Sequence, residues 1–184
     1  DFMGWDCAYY SEKLRKMLFE FNEEELRPYF KSENVINGVF EIANRLYGLT
    51  FEKADDIPVW HEEVNVYKVF ESNGEYLSLL YVDLYPRSTK KGGAWMNELR
   101  SFGLSNGVLK TPHICFTCNL TKSTKTQPSL LSVSEVTTIF HEFGHCLHGM
   151  LSKIKYKTIG GTSVFWDFVE LPSQIMENWV LEDE

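Results

Sequence analysis

The chain has 184 residues, 43% hydrophobic and 15% aromatic, which is enough apolar material for one globular unit with a real core. Its formal net charge of −8 argues against a nucleic-acid backbone as partner. No apolar run approaches the roughly 20 residues of a membrane span, and no signal peptide is visible at Asp1, so a cytoplasmic location with no membrane partner is expected.

Residues 1–50 read as helical. Asp6 can cap a helix in which Tyr10, Leu14, Met17 and Leu18 share one face. Asn22 with Glu25 has the spacing of a second start, which Pro28 interrupts. Asn34 precedes a third helix with Val35, Val39, Ile42, Ala43 and Leu46 inward, ending near Gly48. Residues 51–120 are richer in extended patterns. His61 to Glu71 alternates loosely, Asn73-Gly74 is a hairpin turn, and Glu75 to Tyr85 is a long apolar strand. Val108 to Leu120 reads as one further strand.

Between those strands, PRSTKKGGAWMNELR combines a basic cluster (Arg87, Lys90, Lys91, Arg100) with Gly92-Gly93. Paired glycines permit the close backbone approach that a peptide-binding edge needs, which makes Gly92, Gly93 and Ala94 candidate substrate contacts; an ordinary flexible turn is the plain alternative. Arg87, Lys90 and Lys91 are candidate partners for a substrate carboxylate. Four cysteines, Cys7, Cys115, Cys118 and Cys146, suggest no disulfide framework. Cys115 and Cys118 form a lone C-x-x-C in a strand-like run, so buried free thiols and a reducing compartment fit better than half of a structural zinc site. Asn119-Leu120-Thr121 is a formal glycosylation acceptor, without meaning in such a compartment.

A polar connector leads into SVSEVTTIFHEFGHCLHGMLS at residues 132–152. Ser132 and Glu135 have capping-box spacing, and Val136, Ile139, Phe140, Phe143, Leu147 and Met150 recur at helical spacing, so a largely buried helix is predicted. Within it, His141-Glu142-Phe143-Gly144-His145 matches H-E-x-x-H. Each helical residue turns about 100°, so the two histidines share a face and can reach one ion. Glu142 lies beside that face, placed to take a proton from water held by the metal. A core helix with two incidental histidines is the plain alternative. His148 lies a further turn along, as a hydrogen-bonding neighbour more than a ligand.

A catalytic zinc needs a third protein ligand and an open position. Downstream acids are Asp167, Glu170, Glu177, Glu182, Asp183 and Glu184. Glu170 is the preferred ligand, at what reads as the start of a second helix after Gly160-Gly161-Thr162. Asp167, one turn earlier, is then a candidate acceptor that orients a ligand histidine. Glu177, seven residues on, is another; a solvated helix face is its alternative.

These two helices, with GTSVFWDFVELPSQIMENW in the second, resemble the signature of the thimet oligopeptidase, oligopeptidase A and peptidyl-dipeptidase family of zinc metallopeptidases. WDCAYYSEKLR, EEELRPYF and DLYPRSTKKGGAWMNELR extend the resemblance over nearly the whole chain, and GGAWM is most similar to the bacterial peptidyl-dipeptidase branch. The resemblance implies an α+β, mainly helical fold: a gluzincin-type core with a small β-sheet beside the metal helix, part of a larger two-lobed channel fold. Residues 1–184 would then form part of one catalytic domain, with 1–50 helical, 51–120 strand-rich and 121–184 carrying the metal helices. It also implies one Zn2+ per chain on His141, His145 and Glu170, with Glu142 as the catalytic glutamate. The implied substrates are short oligopeptides, cleaved internally or with release of C-terminal dipeptides by a protein monomeric at full length. Family Tyr and His residues that hold substrate come from a segment beyond the second metal helix. The chain starts without Met and stops near a helix end, as an excised piece would, and as such it would lack that segment. A non-catalytic zinc- or peptide-binding module is the alternative reading.

Overall fold

The computed structural model describes residues 2–19, 22–154 and 156–182. Helix α1 spans Asp6–Phe19, a 3-10 helix spans Glu23–Tyr29, and α2 spans Ser32–Tyr47. Seven strands follow: β1 Thr50–Lys53, β2 Asn65–Phe70, β3 Tyr76–Asp83, β4 Trp95–Arg100, β5 Gly103–Ser105, β6 Val108–Lys110 and β7 His113–Thr117. Three α-helices close the chain: α3 Val133–Leu151, α4 Trp166–Val169 and α5 Leu171–Glu177. Among the described residues no helix is long and apolar enough to cross a membrane.

Five strands form a mixed sheet in the order β1-β2-β3-β7-β4, and β5 pairs with β6 in a separate ribbon. The β3–β7 pair is parallel, with Leu79 opposite His113, and the other pairs are antiparallel. Alternation along β3 divides its side chains between two clusters. Leu80 and Val82 join Ile114, Phe116 and the inward residues of α2 and α3, whereas Leu79 and Tyr81 join Val66 and Cys115 on the other face. Strand β3 is therefore buried on both sides, which explains its apolar run from Leu79 to Val82.

Local signals place several boundaries. Gly48 closes α2 in the left-handed region (φ 70°), where a Cβ is disfavoured, and its N–H donates to Asn44 O. Gly74 (φ 82°) turns the chain between β2 and β3, with Asn73 Oδ1 accepting from Glu75 N. Other expectations need correction. Val108 to Leu120 is two strands because Pro112, which lacks an N–H, falls between β6 and β7. Pro28 lies inside the 3-10 helix, which runs one residue further. Asn34 sits within the first turn of α2, and Leu46 is exposed. The apolar face of α1 is formed as expected, but Tyr10, Leu14, Met17 and Leu18 are all exposed. Cys115, Cys118 and Cys146 are buried free thiols, and burial pushes Cys115 up to about 11 and Cys118 up to about 12.

The basic cluster also differs from expectation. Arg87 donates from Nη1 and Nη2 to the two carboxylate oxygens of Asp83, each at 2.8 Å. Lys90 Nζ donates to Asp83 Oδ1 and to the carbonyls of Asp83 and Tyr85, all at 2.9 Å, and Trp60 Nε1 donates to Oδ2 at 3.0 Å. Both cations therefore fasten the chain after β3 and are not free for a substrate carboxylate. Burial alone would raise the Asp83 carboxyl, but these hydrogen bonds outweigh it and hold the group at about 2. A carboxyl depressed by folding stabilises above its unfolded value, near 3.8, and that contribution disappears as pH falls through about 2.

Asp83→Asn should cost about 3–5 kcal/mol at neutral pH, because the Lys90 side chain, 2% exposed, is left buried without its counter-charge. It should also flatten the loss of stability between about pH 4 and pH 2, worth about 2 kcal/mol in the unsubstituted chain. Urea unfolding across that range measures both effects.

Candidate metal centre

Ser132 caps α3 with a complete capping box: its Oγ accepts from Glu135 N at 3.2 Å, and Glu135 Oε2 accepts from Ser132 N at 2.8 Å. The same carboxylate receives Arg27 Nη1 at 3.3 Å, which ties the start of the helix to the N-terminal segment. That start sets the helix phase. Val136, Ile139, Phe140, Phe143, Leu147 and Met150 are buried in the core. His141, Glu142 and His145 consequently border an open cleft of about 410 Å³, lined also by Ala94, Trp95, Met96, Thr162, Val169 and Glu170.

The expected second helix is broken. α4 ends at Val169, Glu170 occupies the junction (φ −84°, ψ −7°), and α5 begins with Leu171 and Pro172. Pro172 has no N–H to donate back into α4, yet its fixed φ suits a helix start. Helix α5 packs on α3 at Gly144, where a Cβ would lie 2.6 Å from both Pro172 O and Ser173 Cα. Only a residue without a side chain permits that approach, and it carries Glu170 to the histidines.

Glu170 Oε2 lies 3.2 Å from His141 Nε2 and 3.2 Å from His145 Nε2, and the three ligand atoms lie within 4.8 Å of one another. Zinc bonded at about 2.0–2.1 Å in a tetrahedron separates its donors by about 3.3 Å. The donor set and its spacing fit such an ion. Burial lowers the His145 pKa, which favours the neutral, ligating imidazole; the nearby Glu170 opposes this.

Of the two carboxylates expected to orient one of the histidines, the structure brings Glu177 to the site and leaves Asp167 away from it. Glu177 Oε1 lies 2.6 Å from His141 Nδ1, so Glu177 is the carboxylate that meets one of the candidate ligand histidines. Asp167 is exposed and has no hydrogen bond or ion pair among the described residues. His148 Nδ1 is buried without a partner among the described residues; its ring meets Phe168 edge-on at 6.2 Å, and burial lowers its pKa. His148 thus packs where a hydrogen-bonding neighbour was expected. Glu182 is exposed, and Asp183 and Glu184 lie outside the described residues. Ala94 lines the cleft; Gly92 and Gly93 are exposed beside it, with Asn119 Nδ2 donating to the carbonyls of Lys91 and Gly93 at 2.9 and 2.7 Å.

Glu142 is 6% exposed, and its Oε2 has no partner among the described residues. Burial lifts its carboxyl to about 7, with Glu170 adding to the rise and His141 opposing it. A buried, unpartnered carboxyl beside the donor set is poised to exchange a proton near neutral pH. Sequence reading missed Ser173, fully buried, whose Oγ lies 2.8 Å from both Glu170 O and Glu170 Oε2. Its only signal is the three-residue spacing from Glu170, which many helix starts share.

The whole chain, residues 1–184, matches the model of Peptidase family M3. It is 44% identical to oligopeptidase A of Salmonella typhimurium over 182 residues, which is 98% of this chain and 27% of that protein. It is 45% identical to the dipeptidyl carboxypeptidase of Escherichia coli over 177 residues, 95% of this chain and 26% of that one. Organellar oligopeptidase A of Arabidopsis thaliana is 43% identical over 182 residues, 95% of this chain and 23% of the relative. The chain thus spans about a quarter of the length of these relatives, and both bacterial branches stand at nearly equal identity.

Gly144→Ala should push α5 from α3 and reduce zinc affinity at least tenfold in a chelator competition, with about 1–3 kcal/mol lost from overpacking. Unchanged affinity would show that the close approach is not what seats Glu170.

Proposed function

This chain belongs to peptidase family M3, and on that premise we propose that it carries the zinc-binding, water-activating part of an enzyme that hydrolyses peptide bonds in short oligopeptides. The observation that carries the reading is the convergence of His141, His145 and Glu170 beside the buried Glu142 carboxyl. When bound, Zn2+ supplies Lewis acidity that polarises the scissile carbonyl and acidifies water. His141 and His145 present Nε2 and Glu170 presents Oε2. Glu177 accepts the Nδ1 proton of His141 and so keeps the Nε2 lone pair turned toward the site. Glu142 takes the proton of the attacking water and returns it to the leaving amine.

The substrate side follows from the sheet. β4 is the edge strand bordering the cleft, and an extended peptide can add to such an edge with its scissile bond over Glu142. Ala94 offers little bulk there. Three buried free thiols suit a reducing, cytoplasmic compartment. Internal cleavage and dipeptide release are both compatible with this half of the site, since Arg87 and Lys90 are occupied by Asp83.

Glu142→Gln in the full-length protein should reduce hydrolysis of a quenched peptide by at least a thousandfold while zinc content stays at one per chain. Near-normal turnover would remove Glu142 as the base. Glu170→Ala should lose most of the zinc affinity, and chelation should abolish hydrolysis in the unsubstituted protein. Stoichiometric zinc with no hydrolysis by the full-length protein would instead favour a non-catalytic zinc module.

A further inference from the structure

Glu170 is the N-cap residue of α5, just before Leu171, where a side-chain oxygen ordinarily turns back to accept from the helix's own free N–H groups. It makes no such bond. Its carboxylate extends toward His141 and His145, which leaves the side chain without the restraint that a cap normally gives. Ser173, three residues on and fully buried against Gly144, supplies a restraint of another kind. Its hydroxyl lies 2.8 Å from Oε2, the same oxygen that faces both histidines, and 2.8 Å from the Glu170 carbonyl. The hydroxyl has one proton, and the charged carboxylate is the stronger acceptor of the two.

We propose that Ser173 is a positioning residue that holds the Glu170 carboxylate in its ligating rotamer, so that metal affinity depends on a hydroxyl that does not itself touch the metal. This rests on the assignment of Glu170 as a ligand. Ser173 suits the task because it is rigidly placed: its Cα is pinned by the glycine contact and its Oγ is closed off from water that would compete for the proton. A carboxylate left to rotate must be ordered each time an ion binds, and that entropic cost falls on affinity.

The test is zinc affinity of the full-length protein, measured by competition with a fluorescent chelator, in a cycle of Ser173→Ala, Glu170→Ala and the double variant. Ser173→Ala should weaken zinc binding about tenfold. In the Glu170→Ala background it should change nothing further, because the hydroxyl acts through that carboxylate. Affinity of Ser173→Ala within twofold of the unsubstituted chain overturns the proposal. So does an equal loss in both backgrounds, which is the mark of a merely structural serine. Ser173→Cys keeps the bulk with a weaker donor; it should fall between serine and alanine, and it reads the same cycle if the alanine variant does not fold. If Glu170→Ala alone binds as tightly as the unsubstituted chain, the ligand assignment fails and the proposal fails with it. A full Glu170 effect with no Ser173 effect sinks only the proposal.

Discussion

The approach of α5 to α3 at Gly144 is the contact on which the candidate metal centre depends. Two histidines one turn apart are a property of α3 alone, and any helix with that spacing displays them. The third donor comes from a separate segment, and its distance is set by how near the two backbones can lie. With a Cβ at position 144 placed 2.6 Å from the Pro172 carbonyl oxygen, the helices must move apart. The residue that makes the close approach possible is one of the two unspecified positions inside the H-E-x-x-H pattern.

That contact is braced on its far side by the sheet. Gly149 also brings α3 near β7 and β4, less tightly, since a Cβ there would meet the side-chain tips of Ile114 and Met96 at 3.0 and 3.3 Å. α3 is therefore fixed on two sides by glycines and at its start by the capping box and Arg27. Contacts on both sides and at its start restrain the helix that carries His141 and His145. The Asp83 clamp does comparable work on the loop that leads into β4 and the cleft.

What could be read in the sequence was whatever is local. The metal helix, its cap, the glycine turns and the buried thiols follow from spacing within a few residues, and the family signature adds the likeness to known peptidases. The errors share one cause: they concern which distant group a side chain meets. Arg87 and Lys90 looked like free cations because their partner, Asp83, lies at a strand end whose burial only the sheet reveals. Of Asp167 and Glu177, both candidates on spacing alone, only Glu177 meets His141, a choice that depends on how the segment around Glu170 sits against α3. The face of α1 was correct in pattern, yet its exposure depends on what else packs there.

The parallel pairing of β3 with β7 bears on how the chain is made. Leu79 waits for His113 before the inner strand gains its second neighbour, and α3 comes later still. While a ribosome is adding the intervening residues, an apolar strand hangs with one side unpaired, the kind of edge that associates with other chains. A nascent polypeptide halted before β7 emerges would therefore be sticky along β3, and the arrival of β7 removes that particular edge.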